Sequence, residues 1–505
     1  MKNRKFLTYI TGGLFCTMVL ATGCTKDFET LNTPPTSVTD IDAGLLLSKV
    51  QKDAAFAEGN ERANIEFGSW IQHWAGGQVA PVSRYIQQPT DGVWAAHYAL
   101  LRNLMQIRTQ SLKGLETMPA GRSKLAIAAI LEASVWQRLT DLFGDVPLSE
   151  TSESATNVNS KPAFDTQEAI YTRLIAMLDN AMAQLNATDA SYGNADFYFK
   201  GDVAKWKRYA NSLKLRMGLR LRYVAPQLAE KTVREAMAQP LLTGNADNAA
   251  VPTFNNAQTT NAHPILQQFI GGSSDLRYLA DAFVRTLKTK NDPRLPMIAA
   301  PTVNSVKAGA PDYRGMGVAL TDAQLLTIIK DDYSTAATTT YFNRTLATPI
   351  PCYVFTYAEV CFFKAEAALL GWGAAAGDAQ TFYQDGIKAA MALPPYNITT
   401  IPPAYIAAEF SLAGLSAEQQ LEKIMTQKWI VLFGRDYEAF TEWRRTGYPV
   451  LTPGGNQGST AGTIPRRAVY SSLEALLNAD NYNAAVQRLT KGDNYTSKVW
   501  WDKKP

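Results

Sequence analysis

Cysteine, histidine and charge are all scarce in this chain of 505 residues: four Cys, three His and 19% Asp, Glu, Lys and Arg together. Each shortage closes off a class of function. Cys16 and Cys24 fall within the first 24 residues, which leaves Cys352 and Cys361 for the body of the protein. Cys361 lies in a helical pattern over 357–370, nine residues after Cys352. A disulfide needs Cα atoms within ~7 Å, which a helical connection of that length forbids. Two buried free thiols are expected, and the core itself must hold the fold. His73, His97 and His263 cannot build a zinc site with the cysteines committed elsewhere. His73 and His97 sit beside Trp74 and Tyr98 in helical patterns, where a packed or hydrogen-bonded imidazole is expected. The sequence also lacks HExxH, Gly-x4-Gly-Lys and Gly-x-Ser-x-Gly. Adjacent acids such as Asp331-Asp332 hint at a glycosidase pair, but such neighbours arise by chance in a chain this long. No catalytic residue, metal or cofactor is therefore expected.

Long apolar runs are missing too. Phe6 to Ala21 is uncharged and mostly apolar over 16 residues, short of the ~20 that span a bilayer. Preceded by Lys2, Arg4 and Lys5, it suits the h-region of a secretory signal. The run closes in Leu20-Ala21-Thr22-Gly23-Cys24. This resembles the lipobox of bacterial lipoproteins, in which the thiol is acylated and the chain is cut just before it. Ala21 stands where Leu is commoner, and an ordinary signal peptide with an incidental Cys is the alternative. The expected division is a signal peptide over 1–23, lipid attachment at Cys24, a polar tether over 24–39 and one helical domain over 40–505. Two acyl chains anchor stably where one does not, so the protein should sit on a membrane through its lipid without spanning it. Losing the three cations of the signal takes the formal charge from +4 to +1, too little for a nucleic-acid partner.

Apolar periodicity fills the body, where 46% of the whole chain's residues are hydrophobic and can bury a large core. Helical patterns cover about 40–58, 61–75, 91–116, 119–143, 166–185, 202–223, 356–372, 378–391, 417–433 and 436–446. The pattern over 119–143 is apolar on most sides and should be deeply buried. Gly144 stops it, where a positive φ is wanted. Trp94, Trp136 and Trp206 fall on helical stripes and are expected in the core. Lys205, Lys207, Arg208, Lys214, Arg216, Arg220 and Arg222 share one helix; flanking salt bridges or a solvated face account for them, with transporter or acidic lipid contact as the alternative. Residues 240–352 are richer in Thr, Asn, Gly and Pro and read as irregular structure with short helical pieces such as 262–270. The expected fold is all-α: irregular tetratricopeptide-like helical pairs, clearest over 356–391, supporting a loop-rich ligand-binding half.

Several stretches then fall into a known order: Trp94-x3-Tyr98 with Asn103; Leu142-Phe143-Gly144-Asp145-Val146-Pro147; Trp206-Lys-Arg-Tyr-Ala-Asn211-Ser-Leu-Lys-Leu-Arg216. Tyr357-Ala-Glu359 with Lys364-Ala-Glu366-Ala, Gln427-Lys428-Trp429-Ile430, Glu442 to Pro449 and Ile464-Pro465-Arg466-Arg467-x2-Tyr470 come after them. Behind a lipobox, this series resembles the SusD/RagB family of Bacteroidetes outer-membrane lipoproteins, in its SusD-like nutrient-binding branch. The charged residues after Cys24 also resemble the surface-export signal of such lipoproteins. The resemblance implies a non-catalytic protein on the outer membrane, facing outward, that passes an oligosaccharide or a peptide to a SusC-type TonB-dependent transporter. An anchored tetratricopeptide scaffold binding only proteins and a helical glycan-cleaving enzyme are the rival readings. No family motif fixes ligand contacts, so candidates come from the residues. Sugars offer apolar C–H faces to aromatic rings and hydroxyls to amides and charged groups. The loop segments that mix both types nominate Trp74, Gln78, Arg84, Tyr85, Tyr313, Arg314, Tyr341 and Asn343 as ligand contacts.

Overall fold

The computed structural model describes residues 41–504 apart from 59–62, 77–83, 152–158, 255–258, 271–277, 338–348, 376 and 455–457. Helices carry the architecture: α1 (Ala43–Glu58), α2 (Asp91–Gln106), α3 (Arg122–Phe143), α4 (Gln167–Gln184), α5 (Val203–Arg220) and α6 (Pro226–Met237) come first. After α7 (Asp281–Thr289) come α8 (Tyr357–Leu369), α9 (Asp378–Met391), α10 (Ala417–Val431) and α11 (Asp436–Thr446). Their starts are chemically marked. Thr166 accepts from the Ala169 amide at α4, and Asp202 from the Lys205 amide at α5. Thr356 with Glu359 and Ser416 with Gln419 form reciprocal capping boxes at α8 and α10. Each cap satisfies amides the helix leaves unpaired and contributes ~1 kcal/mol.

Helices adjacent in sequence pack in pairs: α1 on α2, α3 on α4, α5 on α6, α8 on α9 and α10 on α11. In the α8–α9 pair, Phe362, Ala365 and Ala368 meet Ala379, Tyr383, Ile387 and Met391, and Leu421, Ile424 and Met425 of α10 join them. The all-α, pair-built expectation holds. Trp94, Trp136 and Trp206 are buried, as are the free thiols of Cys352 and Cys361. Gly144 takes φ +86° after α3.

Two helical readings need correction. The pattern over 61–75 is helical over 63–70, with a wide turn at Asn64–Gly68, and then gives way to a two-residue strand, β1 (Trp74–Ala75). Gln72, at φ +57°, turns the chain, and its side-chain amide donates to the Thr452 carbonyl at 2.5 Å. The other small sheet pairs β2 (Ala249–Val251) with β4 (Cys352–Phe355), while β1 pairs antiparallel with β3 (Tyr278–Leu279). The second failure is α6, a helix absent from the periodic segments. Pro226 opens it, at the helix position where a missing amide is harmless.

The cationic helix α5 is no solvated face. Arg220 is fully buried and reaches Asp141 of α3 at 3.1 Å, with Glu438 and Glu442 of α11 at 2.7 and 3.1 Å. Arg445 donates to both carboxylate oxygens of Glu366 on α8, at 2.6 and 2.7 Å, and to Glu442 at 2.8 Å. Lys428 of α10 lies 2.7 Å from Glu442. Nearer the surface, Lys214 bridges Asp179 and Glu235 at 2.7 and 2.8 Å. Desolvating a charge costs several kcal/mol, so these groups persist inside because each has a partner of opposite sign. Burial alone would raise Glu442, but Arg445, Lys428 and Arg220 hold its carboxyl well below the usual carboxylate range. At Asp141 burial outweighs Arg220, and the carboxyl is raised. A residue far along the chain closes on the same carboxylate. Buried Trp501 donates its indole N–H to Asp141 at 2.8 Å, beside the Tyr171 hydroxyl at 2.5 Å.

Candidate ligand-binding face

The irregular half has its own framework of backbone bonds. The Ala280 amide donates to the His73 carbonyl at 3.1 Å, and β3 is flanked on its other side by two more extended segments. Met316 donates to Leu279 at 2.8 Å, Leu279 to Ser334 at 3.1 Å, and Ser334 to Arg314 at 2.7 Å. The segments approach so closely that a side chain at Gly315 would put its Cβ 2.4 Å from the Asp281 Cα. Only glycine fits there without moving backbone. Ala75, Ala280, Met316 and Val318 form a small core beneath, against which Tyr278, Leu320, Ile328 and Tyr333 are half-buried.

This scaffold fixes an outward-facing group. Arg314 is exposed, and its guanidinium carbon lies 5.0 Å from the centre of the Tyr333 ring, a cation–π contact that limits the motion of both. Half-buried Tyr313 precedes it. Four ion pairs surround it: Lys288 with Asp312 at 2.7 Å, Arg84 with Asp322 at 3.0 Å, Lys307 with Asp331 at 3.3 Å and Arg285 with Asp281 at 3.5 Å. Asp332 accepts from the Asn304 amide at 2.7 Å. The hydrogen bond from Lys288 holds the Asp312 carboxyl below its ordinary range. Such a face can hydrogen-bond and stack, with the exposed cations of Arg314 and Lys330 left outside the ion pairs.

Of the residues nominated from sequence, the structure brings Arg84, Tyr313 and Arg314 to this face. It corrects two. Trp74 is 1% exposed, with its ring stacked on Phe433 at 4.9 Å. Tyr85 is 0% exposed, at φ +62°, and its hydroxyl accepts from the Gly454 amide at 3.3 Å. Both rings are spent on packing and offer no face to a sugar. Gln78, Tyr341, Asn343 and Cys24 lie outside the described residues. Tyr333 was missed, because its position after Asp331-Asp332 drew attention to the acids; aromatic–polar mixing, the criterion applied elsewhere, marks it equally well.

The histidines take structural roles. His73 Nδ1 lies 2.9 Å from Asp436 and Nε2 3.0 Å from the Trp429 carbonyl. Burial pushes His97 down to about 3 and His263 down to about 4. Among the described residues, no three His, Cys, Asp or Glu side chains gather as metal ligands. Two concavities lie on the helical frame. One of about 570 Å³ is lined by Leu125, Ala128, Glu132, Leu174 and Met177, and an adjoining one of about 400 Å³ by Ala95, Tyr98 and Met105. They share Trp136, which is 2% exposed; the partly exposed ring in the second is that of Tyr98.

Among the described residues no helix is long and apolar enough to cross a membrane. A family model named SusD-like_2 and described as "Starch-binding associating with outer membrane" matches residues 35–471. The structure is similar to that of a chitin-binding protein at 30% identity, covering 91% of this chain and 99% of the other, with a TM-score of 0.77. A chitin-binding SusD homolog from Flavobacterium johnsoniae is similar at 25% identity, over 90% of this chain and 99% of its own, with a TM-score of 0.71. A SusD homolog from Bacteroides ovatus shares the fold at 24% identity, over 91% and 99% of the two chains, with a TM-score of 0.73. No curated protein matches the chain.

Proposed function

Since the chain belongs to the SusD-like family, we propose that it is a lipid-anchored protein of the outer membrane that captures oligosaccharides. It holds them on the Tyr313–Arg314–Tyr333 face and delivers them, uncleaved, to a SusC-type TonB-dependent transporter. The observation that carries this reading is the whole-length likeness to two chitin-binding proteins. Arg314, Tyr313, Asn304 and Tyr333 supply the stacking surface and polar groups that an oligosaccharide needs. Cys24, at the end of the lipobox-like segment, supplies the anchor, and the domain from residue 40 onward supplies the binding unit.

Two experiments test the reading. Full-length protein in detergent is titrated with starch- and chitin-derived oligosaccharides and with peptides, and each mixture is then analysed by mass spectrometry. Saturable glycan binding with every mass unchanged is expected; cleavage that survives repurification points to an enzyme, and binding of peptides alone overturns the glycan reading. Separately, Cys24→Ala should abolish fatty-acid labelling and release the protein from the membrane fraction. An unlabelled variant that stays on the membrane refutes the anchor.

A further inference from the structure

Glu132, midway along α3, is 7% exposed, yet among the described residues its carboxylate makes no ion pair. Its one hydrogen bond among them is long, from the Trp136 indole N–H at 3.4 Å. The other acids buried in the frame are answered differently: Asp141, Glu438 and Glu442 share the Arg220 guanidinium within 3.1 Å. A carboxylate held out of water with so little in exchange is costly, and native proteins seldom leave such a group unmet. Glu132 and Trp136 are also the two residues that line both concavities of the frame. Small side chains make the room. Ala128 and Ala129 stand one turn before Glu132, and Ala176 and Ala181 line the same space from α4. At about 570 Å³ the larger concavity has the size of a ligand pocket, in which apolar walls carry a few placed polar groups.

The exposed charges among the lining residues are mostly positive: Arg108 and Arg173 at the larger concavity and Arg102 at the smaller. Glu116, exposed among the same residues, is turned back on its own loop, where it accepts from the Gly114 amide at 3.0 Å. Burial raises the Glu132 carboxyl, and the fields of Arg108 and Arg173 only partly offset it. These features constrain an occupant. A plain hydrocarbon would leave Glu132 unmet, an amine would face three guanidiniums, and a sugar would set its hydroxyls against Leu125, Leu174 and Met177. We propose that the α3–α4 concavity is a second binding site, separate from the loop face, for a hydroxylated aliphatic acid. Its chain lies along the leucines, its hydroxyl donates to Glu132, and its carboxylate stays at the arginine edge. The site stands whether or not the loop face takes a glycan.

The test is calorimetric titration of the full-length protein in lipid nanodiscs, with empty discs as the blank, using 12-hydroxydodecanoate and dodecanoate. A hydrogen bond to a charged acceptor is worth ~10-fold in affinity, so the hydroxy acid should bind ~10-fold more tightly than the plain one. Glu132→Leu should erase that preference while dodecanoate still binds. Its melting temperature should not fall, because the substitution removes a buried carboxyl that lacks a counter-ion. Arg108→Gln/Arg173→Gln should weaken both acids alike, by ~5-fold, and keep the preference. Equal affinity for the two acids, a preference that survives Glu132→Leu, or wild-type affinity in the double arginine variant each overturns the proposal. Absence of saturable binding by either acid overturns it too, and leaves a cavity filled only by water.

Discussion

Replacing Arg220 by Met removes the cation that three buried carboxylates face at 2.7 to 3.1 Å. Glu442 keeps Arg445 and Lys428, both within 2.8 Å. Asp141 keeps the Tyr171 and Trp501 donors, whereas Glu438 is left facing Arg216 at 3.6 Å. Stranding a buried charge in this way costs ~3–5 kcal/mol. Unfolding entropy of ~2 cal/mol/K per residue gives ~1 kcal/mol/K for a chain of this length, so the melting temperature should fall by ~3–5 °C. The pH dependence separates this cause from simple loss of packing. In the wild type Glu438 and Glu442 are depressed. Their contribution is full above the unfolded carboxylate value of about 4.3 and is lost as pH falls through the folded values. In the variant, stranded Glu438 and Asp141 are raised in the folded state. The deficit is then largest near neutrality and shrinks as pH falls through those raised values. Thermal melts of wild type, Arg220→Met and Arg220→Met/Glu438→Gln from neutral to acidic pH read this directly, and the double variant should recover part of the loss. A single variant that melts with wild type, or a gap that widens in acid, refutes the reasoning.

Trp74→Ala should cost ~3–5 kcal/mol in denaturant unfolding, as a buried aromatic does, whereas Tyr313→Ala should leave stability near wild type and weaken glycan binding by ~1–3 kcal/mol, by analogy with base–aromatic stacking. The reverse pattern would return Trp74 to the binding face. Burial pushes the thiols of Cys352 and Cys361 up to about 12, so neither should react with iodoacetamide in the native protein at mildly alkaline pH, and both should react once it is unfolded. Labelling of the native protein at either position means that the segment opens.

How far the sequence could be read depended on the range of the forces involved. Where a helix is set by its own period and caps, the reading was close: 378–391 and 436–446 coincide with α9 and α11. α6 was legible too, in Pro226 and in the spacing of Ala229, Thr232, Val233 and Ala236 on its buried side, though that signal went unused. The end of the pattern over 61–75 misled because its fate is set from far along the chain, by Thr452 on Gln72 and by Asp436 and Trp429 on His73. The same distance hid the roles of Trp74 and Tyr85, whose partners Phe433 and Gly454 lie hundreds of residues away. The charges of α5 were visible, yet nothing local says that Arg220 points inward, since Asp141, Glu438 and Glu442 sit on other helices. Tyr313 and Arg314 reach the surface as a loop mixing rings and polar groups would place them.

Trp501 gives the molecule a direction in time. Asp141, near the end of the third helix, acquires its indole partner from a residue made 360 positions later, and its guanidinium partner from α5. A chain delivered amino-terminus first therefore carries an unfinished centre while those residues are added. Until residue 501 is added, the buried carboxylate has its Tyr171 and Arg220 partners but lacks the indole donor that completes the set.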